Sequence, residues 1–167
     1  MNRLTTILAI VLSCCLPIIV HGKAWRGIVP LQSKRSDVEH LLGPGTNGHY
    51  QFDKERVHVN YAGEGKCNPV NGCLCLVPKD TVISIYVQPQ VEMSFSKLQI
   101  DNNKYKKYVS PKDPNIATYS NDEEGIIYTV DQENDDVIAI EYTPAAKDCN
   151  DILRGGKAGV ACKLPRS

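Results

Sequence analysis

Wide apolar side chains are scarce in this chain: its 167 residues include one tryptophan, two phenylalanines and two methionines. A core of large aromatic or methionine-rich packing is therefore excluded. The interior must come from Val, Ile, Leu and some of the eight tyrosines. Charge of one sign is also missing, since 19 basic side chains balance 19 acidic ones. The densest basic cluster, Lys104-Tyr105-Lys106-Lys107, is too small to track a phosphate backbone, which argues against nucleic acid as a partner. After Val20 no apolar run approaches the roughly 20 residues a membrane helix needs. No serine occupies a G-x-S-x-G elbow, and the acids of Asp122-Glu123-Glu124 and of Glu133 to Asp136 fall in or beside turns, where carboxylates are usually solvated. These absences point away from an enzyme and away from a cofactor.

The N-terminus reads as a targeting segment. Arg3 supplies a short positive region, Leu4 to Val20 is apolar and uncharged, and Gly22 or Ala24 offers a small residue for cleavage. Residues 1–22 are thus expected to be a signal peptide, placing the mature chain in the periplasm or outside the cell. Two rival readings are less favoured. One is a lipobox, Val11-Leu12-Ser13-Cys14, but the apolar run continues past Cys14; the other is an uncleaved anchor, but Pro17 and Cys14-Cys15 interrupt it.

In an exported chain the default fate of cysteine is a disulfide. Five cysteines follow the targeting segment: Cys67, Cys73, Cys75, Cys149 and Cys162. Local loop closure favours Cys149 with Cys162, and Cys67 with Cys73 or Cys75, leaving one of the last two free. Zinc on Cys67, Cys73, Cys75 and a histidine is the competing reading, and an oxidising compartment disfavours it.

What the chain does have is an internal echo. Asp80-Thr-Val-Ile-Ser-Ile-Tyr-Val-Gln-Pro89 returns fifty-five positions later as Asp135-Asp-Val-Ile-Ala-Ile-Glu-Tyr-Thr-Pro144, with five of ten residues identical. The segment from Tyr50 to Tyr61 echoes in Tyr119 to Val130 at an offset of sixty-nine. Self-similarity of this kind marks a duplicated supersecondary unit. The unequal offsets put an insertion of about fourteen residues in the first copy, at 62–79, and three of the cysteines lie within it.

Periodicity fills in the elements. Val38, Leu41 and Leu42 share one helical face, and Gly43-Pro44 stops that helix. Val57, Val59 and Tyr61 alternate with Arg56, His58 and Asn60, the pattern of a half-buried strand. Val82 to Val87, Ile126 to Val130 and Val137 to Tyr142 read as further strands, and Phe95 with Leu98 opens a weakly helical stretch. The expected fold is α+β: two tandem pseudo-repeats, 23–90 and 91–144, each a helix or helical segment plus antiparallel strands, then a cysteine-containing tail, 145–167. Val57, Val59, Val82, Ile83, Ile85, Ile126, Tyr128, Val137, Ile138 and Ile140 should supply the sheet's core, with Leu41 and Leu42 closing one side.

Three constellations have simpler readings. Gly43 to Gly48 fits G-x-G-x-x-G, but with a helix before and a strand after it, the reverse of a dinucleotide site. His40, His49 and His58 recur every nine residues, which places them on a helix, a loop and a strand. Asp131 to Asp135 resembles half a calcium loop, but Asp136 and Tyr142 stand where glycine and a bidentate acid belong.

The segment Trp25 to Pro44 resembles a group of small exported bacterial proteins. Its Ser36-Asp-Val-Glu-His-Leu-Leu-Gly-Pro44 is similar to the helix end of the SmpA/BamE outer-membrane assembly lipoproteins. A helix followed by an antiparallel sheet, tandemly duplicated, also occurs in secreted β-lactamase inhibitor proteins. The resemblance implies an envelope or secreted protein that binds another such protein, and it carries over no catalytic residues. The resulting expectation is a non-enzymatic, exported macromolecule-binding protein, with a small secreted hydrolase as the alternative.

Overall fold

The computed structural model of the protein describes residues 22–63 and 77–148. Seven strands form one antiparallel sheet: β1 (His49–Gln51), β2 (Glu55–Tyr61), β3 (Val82–Pro89), β4 (Lys106–Val109), β5 (Ile116–Asn121), β6 (Ile126–Asp131) and β7 (Asp136–Tyr142). Their spatial order is β1-β2-β3-β7-β6-β5-β4. The α+β expectation is corrected here. The fold is mainly β, in a single sheet, and a helix does not accompany each half of it.

The longest run of α-helix among the described residues is α1 (Arg35–Leu42), and residues 146–148 are also helical. The start of α1 is fixed by Asp37, whose carboxylate accepts the Lys34 N–H at 2.7 Å. Gly43, at φ 82°, ends it, as a left-handed stop favours glycine. Where a second helix was expected, the chain makes only two single 3-10 turns, Ser96–Leu98 and Asn102–Lys104, and then β4. Local side chains account for this. Asp135 captures the Ser96 N–H, Asp101 accepts the Asn103 N–H at 3.1 Å, and Gln99 sits at φ 50°. Each diverts the backbone from a continuing helical ladder.

Alternation then sorts each strand into two faces. Trp25, Ile28, Val38, Val57, Val59, Val82, Ile85, Val87, Ile126, Tyr128, Val130, Val137 and Ile140 form one cluster on the first face, with Leu42, Tyr50, Phe95 and Leu98 packed around it. Three core expectations fail. Leu41 is 54% exposed, because a two-turn helix touches the sheet along the Val38–Leu42 line and an i+3 residue swings about 100° from its i+4 neighbour. Ile138 is also on the surface, and Ile83 is only half-buried.

Both isoleucines are the extra residue of a β-bulge. In β2–β3, Asn60 pairs with Ser84 and Tyr61 with Val82, passing over Ile83. In β6–β7, Thr129 pairs with Ala139 and Val130 with Val137, passing over Ile138. Shifting the first pair of strands by the two sequence offsets reproduces the second register residue for residue, bulge included. Each bulge follows an aspartate in left-handed backbone, Asp80 at φ 62° and Asp135 at φ 55°. The carbonyls of both accept a bond from the covering segment, from Arg35 N–H and Phe95 N–H, each at 2.8 Å. The Asp80 side chain pairs with Arg35 at 2.9 Å; that of Asp135 accepts from Ser94 Oγ at 2.6 Å and Ser96 Oγ at 2.7 Å.

The two halves join through β3 and β7, where Tyr86 lies opposite Glu141, flanked by Ile85 with Tyr142 and Val87 with Ile140. Tyr86 and Glu141 are equivalent positions of the echo, so the ladder reads alike from either strand and the sheet has an internal two-fold at that pair.

Two outcomes are expected. Ile85→Ala should cost about 2–5 kcal/mol in urea unfolding, and Leu41→Ala no more than about 0.5 kcal/mol. Bonds from Ser94 and Ser96 hold the Asp135 carboxyl below the usual carboxylate range, so its stabilising contribution is present above the unfolded-state value and is lost as pH falls through the depressed one. Asp135→Asn should therefore flatten the acid limb of the stability profile; an unaltered limb would refute the assignment.

Candidate functional site

A concavity on the sheet's second face lies at the β1 end, and a two-residue turn creates it. Phe52 N–H donates to the Glu55 carbonyl, so Asp53-Lys54 closes the hairpin and sets Gln51 opposite Arg56, Tyr50 opposite Val57 and His49 opposite His58. His49 spends both backbone groups on Thr46, at 2.9 and 3.3 Å, while Val59 N–H donates to Gly48. His49 and His58 are thus a pair without mutual backbone bonds, the class in which cross-strand side chains come closest. Their rings stack at 4.0 Å with 6° between planes. Gly48 permits this tight approach: its φ is 79°, and a Cβ would run into the Val59 carbonyl.

The resulting open cavity, about 550 Å³, is lined by Thr46, His49, Gln51, Arg56, His58, Tyr86 and Gln88 with Tyr50 and Val57 behind them. No carboxylate lines it. Arg26 and Arg35 are ion-paired and lie over aromatic rings, but Arg56 makes no ion pair among the described residues. Burial, with His49 alongside, holds His58 below the ordinary histidine value.

One rung crosses the whole sheet here: His49, His58, Tyr86, Glu141, Ile127, Ser120 and Lys106 lie in succession on adjacent strands. Desolvation raises the Glu141 carboxyl against a hydrogen bond to Ser84, whose Oγ also accepts from Asn60 at 2.9 Å. His58 and Glu141 are two strand spacings apart, about 9.6 Å, too far to pass a proton directly. A second concavity, lined by Phe95, Ile100, Tyr105 and Tyr119, is floored by rings of the core, with Phe95 and Tyr119 at 4.4 Å.

The sequence-level candidates fare unevenly. All five disulfide candidates, Cys67, Cys73, Cys75, Cys149 and Cys162, lie outside the described residues, as does most of the 62–79 insertion. Among the histidines, His40 stays apart on the exposed side of α1. His49, expected in a loop, is the first residue of β1, and the ladder brings it face to face with His58 on β2. A nine-residue spacing is what two opposed positions of a hairpin with a two-residue turn produce, and that signal was in the sequence. Asp131 bonds to Glu133 N–H and to Asn134 within its own turn, which explains the half calcium loop. Arg56 read as a wet-face residue of its strand, and Tyr86 and Gln88 were not singled out.

The second half of the sheet shows that the frame does not need these side chains. At the equivalent positions His58 becomes Ile127, Arg56 becomes Gly125, and Gln88 becomes Thr143, with the register unchanged. Comparison with protein families, curated proteins and solved structures finds no match to this chain.

The His pair predicts a pH effect. A histidine depressed in the fold binds its proton less readily than when unfolded, so stability is full above the unfolded value near 6.5 and falls as pH drops below it. Unfolding measured from about pH 7.5 to 5 should show a smaller decline in His49→Gln than in the native chain, because His58 then meets no like charge.

Proposed function

We propose that the protein is an exported, non-enzymatic binding module that holds another envelope or secreted protein on the second face of its sheet, at the β1–β3 end. The observation that carries this reading is the open donor-lined cavity, present on one half of a sheet whose other half keeps the same register without it. Tyr86, 41% exposed beside the stacked histidines, adds the rigid aromatic surface that binding sites favour. The likeness of Trp25 to Pro44 to exported envelope proteins points the same way. Cleavage after Gly22 would keep the Lys23 N–H bond to Glu124 at 2.8 Å and the Lys23–Glu124 ion pair, and would remove the Gly22 N–H bond to Asp148.

A photo-crosslinking residue tests the reading when placed at 58 or 86 of the full chain, with position 41 on α1 as the control. Discrete adducts to another protein should form from 58 and 86 and not from 41. Equal adducts from all three positions, or none from any, would refute it.

A further inference from the structure

The cavity has a specific chemistry beyond being a surface. Its polar lining is rich in donors: Arg56, His49, His58 and Gln88 carry N–H groups, Gln51 already spends one of its own on the Phe52 carbonyl at 2.9 Å, and no carboxylate is among the lining residues. Arg56 is the one described arginine without an ion pair, so its planar fork of donors is available. The neighbouring acids are engaged or remote. Glu55 is bound to Arg26 at 2.6 Å, and Glu141 lies one strand beyond Tyr86. Facing the stacked pair are Gln51 on β1, Arg56 and Asn60 on β2, and Tyr86 and Gln88 on β3.

The spacing narrows the ligand further. Arg56 and His58 are two residues apart on one strand, so they repeat along it at about 6.8 Å. Two side chains at alternate positions of an extended peptide have the same repeat. A lone small anion would meet one of the two, whereas an extended segment with acids at alternate positions meets both, and its carboxylates suit the bidentate fork.

We infer that the cavity at Arg56, His49 and His58 binds an extended acidic segment of a protein partner, with one carboxylate on Arg56 and a second on the histidine pair. This rests on the binding-module reading and names the partner's chemistry. A bound carboxylate also offsets the repulsion that protonating stacked imidazoles creates. Binding and proton uptake are therefore linked, and the segment is held more tightly in acid.

The test uses the full chain and a capped peptide of alternating threonine and glutamate, with a threonine–glutamine peptide of equal length as the neutral partner. Calorimetry at about pH 7.5 and 5.5 should show the acidic peptide binding at least about tenfold more tightly than the neutral one, and more tightly still at the lower pH. Arg56→Gln, a change at an exposed side chain, should lose at least about tenfold, and His58→Asn should remove the pH dependence. Equal affinity for the two peptides, unchanged binding by Arg56→Gln, or no binding overturns the inference. Displacement of the peptide by acetate or inorganic phosphate at equal concentration also overturns it, in favour of a small-anion site. If crosslinks from positions 58 and 86 persist while the acidic peptide fails, only the acidic chemistry falls; if both fail, the binding-module reading falls with it.

Discussion

Everything in this sheet depends on the antiparallel ladder between β3 and β7. Without it there are a three-stranded and a four-stranded piece, each with an open edge and half an interior. With it, Ile85, Val87 and Ile140 become neighbours and a single cluster forms under both halves. The Tyr86–Glu141 position at the centre of the ladder is also the centre of the internal two-fold. The register there is therefore constrained twice, by the apolar residues beneath and by the symmetry of the flanking pairs. A slip of one residue would turn those apolar side chains to the wrong face.

The two bulges do a related job. Each lets Val82 or Val137 point inward and lets the strand still resume its alternation one residue later, at the cost of an isoleucine left aside. Each is also tied at its base by an aspartate in left-handed backbone, held from one side by the segment that covers the core. The covering segments differ, a helix in one half and a 3-10 turn in the other, yet they meet the strand through the same backbone bonds. The anchorage is shared; what hangs from it differs.

That distinction explains how much was legible in the sequence. Strands β2, β3, β6 and β7 announce themselves because their apolar residues alternate or cluster between turn signals. The echo at two offsets is visible as text, but its meaning was misread: it specifies strand registers and bulges, not two α+β units. The residues around Ser94, Gln99 and Asn102 form side-chain-to-backbone bonds that a count of apolar spacing does not see. Ile83 and Ile138 looked like core because nothing in a run of consecutive apolar residues says which one a bulge will discard. β1 and β4 are short and polar, and they exist only because a neighbour offers them a ladder. The stacked histidines required the register of that ladder, and the composition of the strand alone could not supply it.

The two ends of the sheet are unlike, and this limits how the molecule can associate. At the β1 edge, Thr46 already occupies both backbone groups of His49. At the β4 edge, Lys106 to Val109 are exposed throughout. Fibre-like growth by strand addition requires two usable edges on every copy, one to give and one to receive. Here one edge has His49 already engaged by Thr46, and the other carries two lysines that repel a second such edge. Strand addition between copies therefore meets a different hindrance at each end of the sheet, an occupied residue at one and like charge at the other.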